Sequence, residues 1–318
     1  MDICSTAHRK EANVLSEVEY SLTLKAAWYY YMESYTQQEI SSLMGISRAK
    51  VIRLLDDARQ NGIIRFNFRE DDNARMSTER NLVKTFGLDD AMVVPTPVDQ
   101  SALLDSIARA AAMYITYHLK PGGYLNIGYG DTMGLTLSHL ANSGRKDFSV
   151  VSLTGGVSFY LPKVPLGSLN MKLYLTPTPL ILSSVELKEA LMREPTIQGI
   201  SRMTELADMT VMSMGALTEN ATIMRNGIIN ANDLALLRME GCVGDILNHF
   251  IDSKGEVIPT SIDSRSVSTS LESLCAMKNV VGVAGGAEKV AVLRAALAHD
   301  YLNVLITDEK TALGLLGN

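Results

Sequence analysis

Short apolar runs that alternate with helical patterns after about residue 90 constrain the fold of this chain most strongly. The runs have the short length of buried strands, and the segments between them repeat apolar residues every three or four positions. The strand-like runs are "AMVVP", "GYLNIGYG", "FSVVSLTGG", "MTVMSMGAL", "NVVGVAGG" and "LNVLITD". Such alternation predicts an α/β fold, in which a mostly parallel sheet is covered by helices on both faces.

A different pattern, two short helices around a glycine, precedes this region in "YTQQEISSLMGISRAKVIRLLDDARQNGIIRF". Thr36 and Glu39 form a capping box at the start of the first helix, Gly45 can end that helix, and Ser47 can cap the second. The apolar residues that recur at helical spacing, and that we expect to be buried, are Ile40, Leu43, Met44, Val51, Leu54, Leu55 and Ala58. The segment therefore predicts a helix-turn-helix.

The strand-like "IIRFNFR" that follows completes the pattern of a winged helix-turn-helix, whose second helix enters the major groove of DNA. The whole chain has a formal net charge of −6, which argues against a broad DNA-binding surface. Residues 45–70, however, hold six basic and three acidic residues, a local charge of +3. The residues that we predict to contact operator DNA are Thr36, Gln37, Ser47, Arg48, Lys50 and Arg53, with Arg65 as a further phosphate contact. The alternative is a helical pair whose cations only face water.

We predict three regions from these patterns. Residues 1–70 form the winged helix-turn-helix domain. Residues 71–90, "DDNARMSTERNLVKTFGLDD", begin with a polar stretch, continue as a helix that ends at Gly87, and form a connector. Residues 91–318 form a larger, Rossmann-like α/β domain.

Glycine-rich loops mark a candidate ligand site in the larger domain. In open parallel sheets ligands bind beyond the carboxyl ends of the strands, where free amides and a cation suit a phosphate group. The candidate residues are Gly128, Gly130, Asp131 and Thr132 in "NIGYGDT", Thr154, Gly155 and Gly156 in "LTGGV", Gly286 and Lys289 in "AGGAEK", and Asp245 in "GCVGDIL". We expect Asp245 to accept hydrogen bonds from sugar hydroxyls. The alternative for each glycine is a role in a tight turn only.

Other site classes are poorly supported. Cys4, Cys242 and Cys275 share no C-x-x-C spacing, so we expect neither a disulfide framework nor a metal site, and no cofactor. The stretch "GYGDTMG" is one residue too long for the dinucleotide fingerprint. No apolar stretch is long enough to span a membrane, and the first twenty residues lack the apolar core of a secretory signal, so we expect a cytoplasmic protein.

Taken together, these motifs resemble the SorC family of bacterial sugar-responsive transcriptional regulators. The likeness begins near residue 22 and includes "IGYGDT", "SLTGGV", "GCVGDIL" and "GVAGGAEK". It implies a DNA-binding regulator, a repressor, of a carbohydrate operon. It also implies an effector domain similar to the sugar-phosphate isomerase and glucosamine-phosphate deaminase fold, assembly into homotetramers, and binding of a phosphorylated sugar or polyol. The phosphate would meet Gly130 to Thr132, Thr154 to Gly156 and Gly286 to Lys289, and the sugar would meet Asp245.

A sugar-phosphate isomerase with an added N-terminal domain is the alternative function. Asp131 or Asp245 would then act as the base, and Lys289 would hold the phosphate. No His lies in the four loops to assist either carboxylate. The sequence therefore favours a sensor over an enzyme.

Overall fold

The computed structural model describes residues 4–64, 70–145, 147–156 and 171–317. The chain divides into two compact units, Met1–Glu70 and Asp71–Asn318. Within the described ranges, no helix is both long and apolar enough to cross a membrane.

Three helices lie wholly within the described residues of the first unit. They are α1 (Cys4–Tyr31), α2 (Gln37–Met44) and α3 (Arg48–Gln60). Their small core consists of Ala26, Ala27, Ile40, Val51, Leu54, Leu55 and Ala58, each of which is buried. The predicted apolar face of α3 is thus confirmed.

The turn between α2 and α3 forms as the sequence predicts. The Thr36 hydroxyl accepts a hydrogen bond from Glu39 N at 3.3 Å, and the Glu39 carboxylate accepts one from Thr36 N at 2.7 Å. Gly45 ends α2 with φ +66°, a left-handed conformation that glycine adopts without steric strain. The Ser47 hydroxyl caps α3 by accepting from Lys50 N at 3.2 Å. The capping box and both caps are therefore confirmed.

Two expectations for this unit have other outcomes. Leu43 is exposed rather than buried, because Ile40 and Met44, one helical turn apart, provide the face of α2 that meets the core. Arg65 and most of the predicted wing strand lie within residues 65–69, and these residues are outside the described part of the chain.

The second unit is a mixed α/β domain, as predicted. Its strands are β1 (Asp90–Val94), β2 (Tyr124–Ile127), β3 (Ser149–Ser152), β4 (Lys172–Tyr174), β5 (Met209–Met212), β6 (Met214–Ala216), β7 (Cys242–Ile246), β8 (His249–Asp252), β9 (Val280–Val283) and β10 (Val304–Asp308). Its helices are α4 (Glu70–Phe86), α5 (Leu103–His118), α6 (Asp131–Asn142), α7 (Val185–Met192), α8 (Pro195–Glu205), α9 (Thr222–Arg225), α10 (Ala231–Met239), α11 (Leu271–Cys275), α12 (Val290–Ala298) and α13 (Glu309–Leu316).

Seven of these strands form a parallel sheet in the order β1-β10-β9-β5-β2-β3-β4. Neighbouring residues of β10 point to opposite faces of the sheet. Ile306 belongs to the core that includes α5 and α6, whereas Leu305 belongs to the core that includes α12 and α13. Helices therefore cover both faces, and the predicted α/β architecture is confirmed.

A smaller antiparallel sheet, in the order β6-β7-β8, stands apart from the parallel sheet. Asp245 lies inside β7 and pairs with Gly215 of β6. The sequence predicts Asp245 in a loop after a strand. That expectation is wrong, because the hairpin of β7 and β8 places the residue in mid-strand.

Helix α4 occupies the segment that the sequence analysis assigns to a connector. Leu82 of this helix is fully buried in the same core as Leu88, Ala91 and Val93. The segment packs within the second unit and gives that unit part of its core.

Candidate functional site

The first unit presents a cationic surface on the side of α3 that faces away from its core. Arg48 and Arg53 are exposed, and Lys50 is half-buried. The Arg48 side chain donates a hydrogen bond to Gln37 Oε1 at 3.3 Å, so two of the predicted DNA-binding residues contact each other. Both lie in an open depression lined by Tyr30, Ser34, Tyr35, Thr36, Gln37, Gln38 and Arg48.

An ion pair holds Lys50 on this surface. Lys50 Nζ lies 3.3 Å from Glu19 Oε1 of α1. A phosphate group that binds Lys50 would therefore compete with Glu19 for the ammonium group. Arg53, in contrast, makes no ion pair within the described part of the chain and is free to contact an anion.

The hydroxyl groups of Thr36 and Ser47 are engaged within the unit. Thr36 Oγ1 donates to Glu39 Oε2 at 2.8 Å, and both hydroxyls act as helix caps. The hydrogen bonds of Thr36 lower the pKa of Glu39. A DNA contact by Thr36 must therefore use the remaining lone pair of its hydroxyl or its backbone, whereas Ser47 can still donate its hydroxyl proton.

The second unit contains a cavity of about 570 Å³, here called the effector pocket. It lies where loops leave β2, β5 and β9 at their carboxyl ends and where β6 and β7 pass beside them. Of the predicted ligand residues, those that line it are Gly130, Asp131, Thr132, Asp245, Gly286 and Lys289. Predicted residues from three distant parts of the sequence thus meet in one cavity.

Asp245 is the most buried charged residue of the effector pocket. Its Oδ2 atom accepts hydrogen bonds from the Tyr129 hydroxyl at 2.9 Å and from Asn248 N at 3.1 Å. Its Oδ1 atom has no hydrogen-bond partner in the described part of the chain. A buried polar atom without a partner is unfavourable, so Oδ1 is available to a ligand hydroxyl.

Burial dominates the acid-base properties of Asp245 and Tyr129. It raises the pKa of Asp245, and the hydrogen bonds from Tyr129 and Asn248 and the charge of Lys289 offset part of that rise. It also raises the pKa of Tyr129 well above its ordinary value, and the neighbouring Asp245 adds to the effect.

Lys289 supplies one cation to the effector pocket. Its Nζ atom lies 3.5 Å from the Ser213 hydroxyl, its closest hydrogen-bond partner in the described part of the chain. Burial lowers the pKa of Lys289, while the carboxylates of Glu288, Asp245 and Asp131 act in the opposite direction. A bound anion would compensate the positive charge of this half-buried side chain more directly than these acids do.

Arg225 supplies a second cation that the sequence analysis did not identify. It lies at the end of the short helix α9 and forms an ion pair with Asp131 at the N-terminus of α6. Thr222 Oγ1 donates to the same carboxylate oxygen of Asp131 at 3.4 Å. No local motif marks Arg225 in the sequence, because its role depends on a contact across 94 positions.

Two glycines shape the pocket entrance. Gly130 precedes α6 with φ +107°, and Gly286 follows β9 with φ +111°, a backbone conformation that strongly favours glycine. Gly286 N donates to the Thr311 hydroxyl at 2.8 Å. This amide, which the sequence analysis assigns to a phosphate, is therefore already paired within the protein.

The remaining predicted glycines lie outside the effector pocket. Gly128 N donates to Val211 O at 2.9 Å, and Gly155 N and Gly156 N donate to backbone carbonyls at 2.9 and 2.8 Å. A Cβ atom at Gly155 would lie 2.5 Å from Pro179 O, so this glycine permits close packing of the backbone.

Strand order explains why Thr154, Gly155 and Gly156 are not brought together with Lys289. These three residues follow β3, and Lys289 follows β9, three positions away in the parallel sheet. At about 4.8 Å between neighbouring strands, the separation is about 14 Å. Their contact with the same effector phosphate stays a prediction.

Comparisons with known proteins agree with this architecture. Residues 72–317 match the family model described as "Putative sugar-binding domain". The transcriptional regulator LsrR of Klebsiella pneumoniae is 31% identical, with 95% of this chain and 94% of that protein covered. The deoxyribonucleoside regulator of Bacillus subtilis is 30% identical, with 93% and 97% covered. The chain belongs to the SorC family of sugar-responsive transcriptional regulators.

Solved structures of regulators share the fold of this SorC-family chain. The full-length sorbitol operon regulator SorC of Klebsiella pneumoniae aligns with a TM-score of 0.68 at 23% identity, over 93% of this chain and 98% of that one. The DeoR family transcriptional regulator of Listeria monocytogenes aligns with a TM-score of 0.67 at 25% identity, over 76% and 99%. The SorC-family relatives are regulators, so this chain is a sugar-responsive regulator rather than an isomerase.

Proposed function

We propose that this regulator binds operator DNA through α3 and that a phosphorylated sugar or polyol in the effector pocket controls that binding. We further propose that it acts in the cytoplasm, as a repressor. The pocket carries the proposal, because Lys289, Arg225 and the unpaired oxygen of Asp245 line one cavity. Two cations suit a phosphate group, and the carboxylate suits a sugar hydroxyl.

In this proposal the effector bridges the elements that line the pocket. The phosphate lies between Lys289, the amide groups at the N-terminus of α6, and Arg225 at the pocket rim. A hydroxyl of the sugar donates to Asp245 Oδ1. The effector shifts the protein away from the DNA-binding state only if it binds the two states unequally, and a tenfold preference corresponds to about 1.4 kcal/mol.

Substitution of Lys289 tests the effector site. We expect Lys289→Met to weaken binding of an active sugar phosphate by about 10- to 150-fold, since a hydrogen bond to a charged group contributes about 1.5–3 kcal/mol. The effector is found by thermal-shift screening of phosphorylated sugars and polyols, and its affinity is then measured by calorimetry. Lys254→Met is the matched control, because Lys254 is exposed and does not line the pocket. Equal affinity in both variants would refute the assignment of Lys289.

The DNA-binding surface is tested with a duplex that the full-length protein selects from a random pool. We expect Arg48→Ala to weaken binding by about 1–3 kcal/mol if Arg48 contacts a base. We expect Lys50→Ala and Arg53→Ala to reduce the dependence of binding on salt concentration, by about one unit of slope for each lost phosphate contact. Arg59→Ala is the control on the same helix, because Arg59 pairs with Asp56 in the last turn of α3. Binding that is unchanged in all variants would exclude α3 as the recognition helix.

Assembly into a homotetramer is part of the same proposal. Three exposed apolar side chains on α1, Tyr20, Leu24 and Trp28, follow one another at four-residue spacing and form a stripe along one face of the helix. An exposed apolar stripe of this kind favours contact with a second copy of the chain. Light scattering coupled to size-exclusion chromatography should show a smaller assembly for Leu24→Glu than for the control Leu236→Glu, in which the exposed leucine lies in the second unit.

A further inference from the structure

A second cavity in the effector domain is separate from the effector pocket. This cavity, here called the β3 cavity, has a volume of about 380 Å³ and shares no described lining residue with the effector pocket. Its walls come from the carboxyl end of β3, from α7 and α8, and from residues 267–277. The cavity is therefore built from one strand of the sheet, two helices and the segment 267–277.

Hydroxyl groups dominate the polar part of its wall. They belong to Ser152, Thr154, Thr176, Ser201, Thr204, Ser268, Thr269, Ser270 and Ser273. Several already donate their proton to a backbone carbonyl. Thr204 donates to Ser201 O at 2.6 Å, Ser268 to Leu247 O at 2.6 Å, and Thr269 to Leu153 O at 3.0 Å. Because these protons are used, the oxygen atoms offer lone pairs, and the wall favours a ligand that donates hydrogen bonds.

Thr154 adds an unsatisfied group to this wall. Its side chain is 1% exposed, and its hydroxyl has no hydrogen-bond partner in the part of the chain that the structure describes. Such buried polar atoms are rare in folded proteins, because each loses its hydrogen bonds to water without replacement. A hydroxyl-bearing molecule in the cavity could supply the missing partner.

The charge of the cavity excludes a phosphate group. Glu205 is the one charged residue among the described residues that line it, and no lysine, arginine or histidine is among them. An anion bound there would lose its hydration without a compensating cation, beside a negative charge. The effector pocket differs in this respect, since it contains Lys289 and Arg225.

We propose that the β3 cavity is a second ligand site that takes a small uncharged polyol or unphosphorylated sugar. The apolar wall residues Met192, Ile197, Ile200 and Met277 would contact the C–H surfaces of such a molecule, and the hydroxyl groups would accept from its O–H groups. The volume lies near the lower end of the range for small-molecule sites, about 300–1,000 Å³. The proposal does not depend on the identity of the phosphorylated effector.

Calorimetric titration of the full-length protein tests the site directly. The uncharged probes are glycerol, erythritol, xylitol, sorbitol and ribose, and the charged probes are ribose 5-phosphate and inorganic phosphate. Two variants mark the β3 cavity. Ala276→Trp fills its mouth at an exposed position, and Thr154→Val removes the unpaired hydroxyl with little change of shape. Lys289→Met marks the effector pocket.

We expect at least one uncharged probe to bind, and neither charged probe to displace it. Ala276→Trp should weaken its binding more than tenfold, and Thr154→Val should weaken it about 3- to 10-fold, which corresponds to one hydrogen bond. Lys289→Met should leave the affinity for the uncharged probe unchanged. Circular dichroism of each variant confirms that it is folded, and Ser273→Trp replaces Ala276→Trp if the latter is not.

Three results would overturn the proposal. The first is no binding of any uncharged probe at concentrations up to about 10 mM, where a ligand with a Kd of about 1 mM saturates. The second is equal binding of the probe by the wild-type protein and the folded mouth variant. The third is loss of binding in Lys289→Met with retention in the mouth variant, which would place the uncharged probe in the effector pocket.

Discussion

Gly215 and Asp245 face each other across the β6-β7 ladder so closely that any larger residue at position 215 should disturb the effector pocket. The Cβ atom of an alanine there would lie 1.9 Å from Asp245 Oδ1. The carboxylate would have to move by more than about 1 Å to restore van der Waals separation. That movement strains or breaks the hydrogen bonds to Tyr129 and Asn248, which hold Oδ2 at 2.9 and 3.1 Å.

The expected loss of stability follows from those two hydrogen bonds. A hydrogen bond to a charged group contributes about 1.5–3 kcal/mol, and the loss of both bonds near the lower end of that range, about 1.5–2 kcal/mol each, gives about 3–4 kcal/mol. Replacement of glycine by alanine restricts the unfolded chain, which returns about 0.4–1 kcal/mol. The net destabilisation by Gly215→Ala is then about 2–3 kcal/mol. For a unit of this size, that corresponds to a fall in Tm of about 4–12 °C.

Thermal unfolding followed by far-UV circular dichroism measures this change at fixed protein concentration. Gly199→Ala is the control, because Gly199 lies in α8 and an added Cβ would meet nothing within 4 Å. We expect the control to raise stability by about 0.5–1 kcal/mol, as alanine favours a helix over glycine.

A double-mutant cycle identifies the cause. In an Asp245→Ala background the carboxylate is absent, so Gly215→Ala should destabilise by less than about 1 kcal/mol, with a coupling energy of about 2 kcal/mol. Equal effects of Gly215→Ala in both backgrounds would show that the close approach to Asp245 is not responsible, and would refute the reasoning.

Burial raises the pKa of Asp245 above its value in the unfolded chain. Between these two pKa values the folded state retains a proton that the unfolded chain releases. The free energy of unfolding therefore falls as the pH rises from the lower to the higher pKa. Asp245→Asn should show a smaller fall as the pH rises above about 4, the ordinary pKa of an aspartate, in urea denaturation, and an identical pH dependence would contradict the assignment. Glu19→Gln should strengthen DNA binding by removing the competitor of Lys50, with no such gain in a Lys50→Ala background, as measured by fluorescence anisotropy of a labelled duplex. Thr36→Ala should lower the stability of the first unit by about 1 kcal/mol, because the helix cap is lost. The control Ser42→Ala removes only a hydrogen bond to the preceding helical turn and should not lower it. The fluorescence of Trp28, the single tryptophan of the chain, measures the unfolding of this unit.

The sequence determined those features that depend on residues close together in the chain. The capping box of Thr36 and Glu39, the left-handed Gly45 and the Ser47 cap each involve groups within three positions of one another, and all form as predicted. The apolar periodicity of α3 and the alternation of strands and helices after residue 90 are also local patterns. They indicated a helix-turn-helix and a parallel α/β sheet, because the period of the side chains follows directly from backbone geometry.

Only the tertiary structure decided which loops meet. The order of strands in the parallel sheet separates the residues after β3 from those after β9, whereas the residues after β2 lie closer to β9. The β7 strand brings Asp245 over Gly215, and α9 brings Arg225 to Asp131, across long intervals of sequence. No local pattern encodes these contacts, because they arise from the crossover connections and from packing of the whole domain. The residue types of a sensor site can thus be read from the chain, but their grouping into one pocket is a property of the fold.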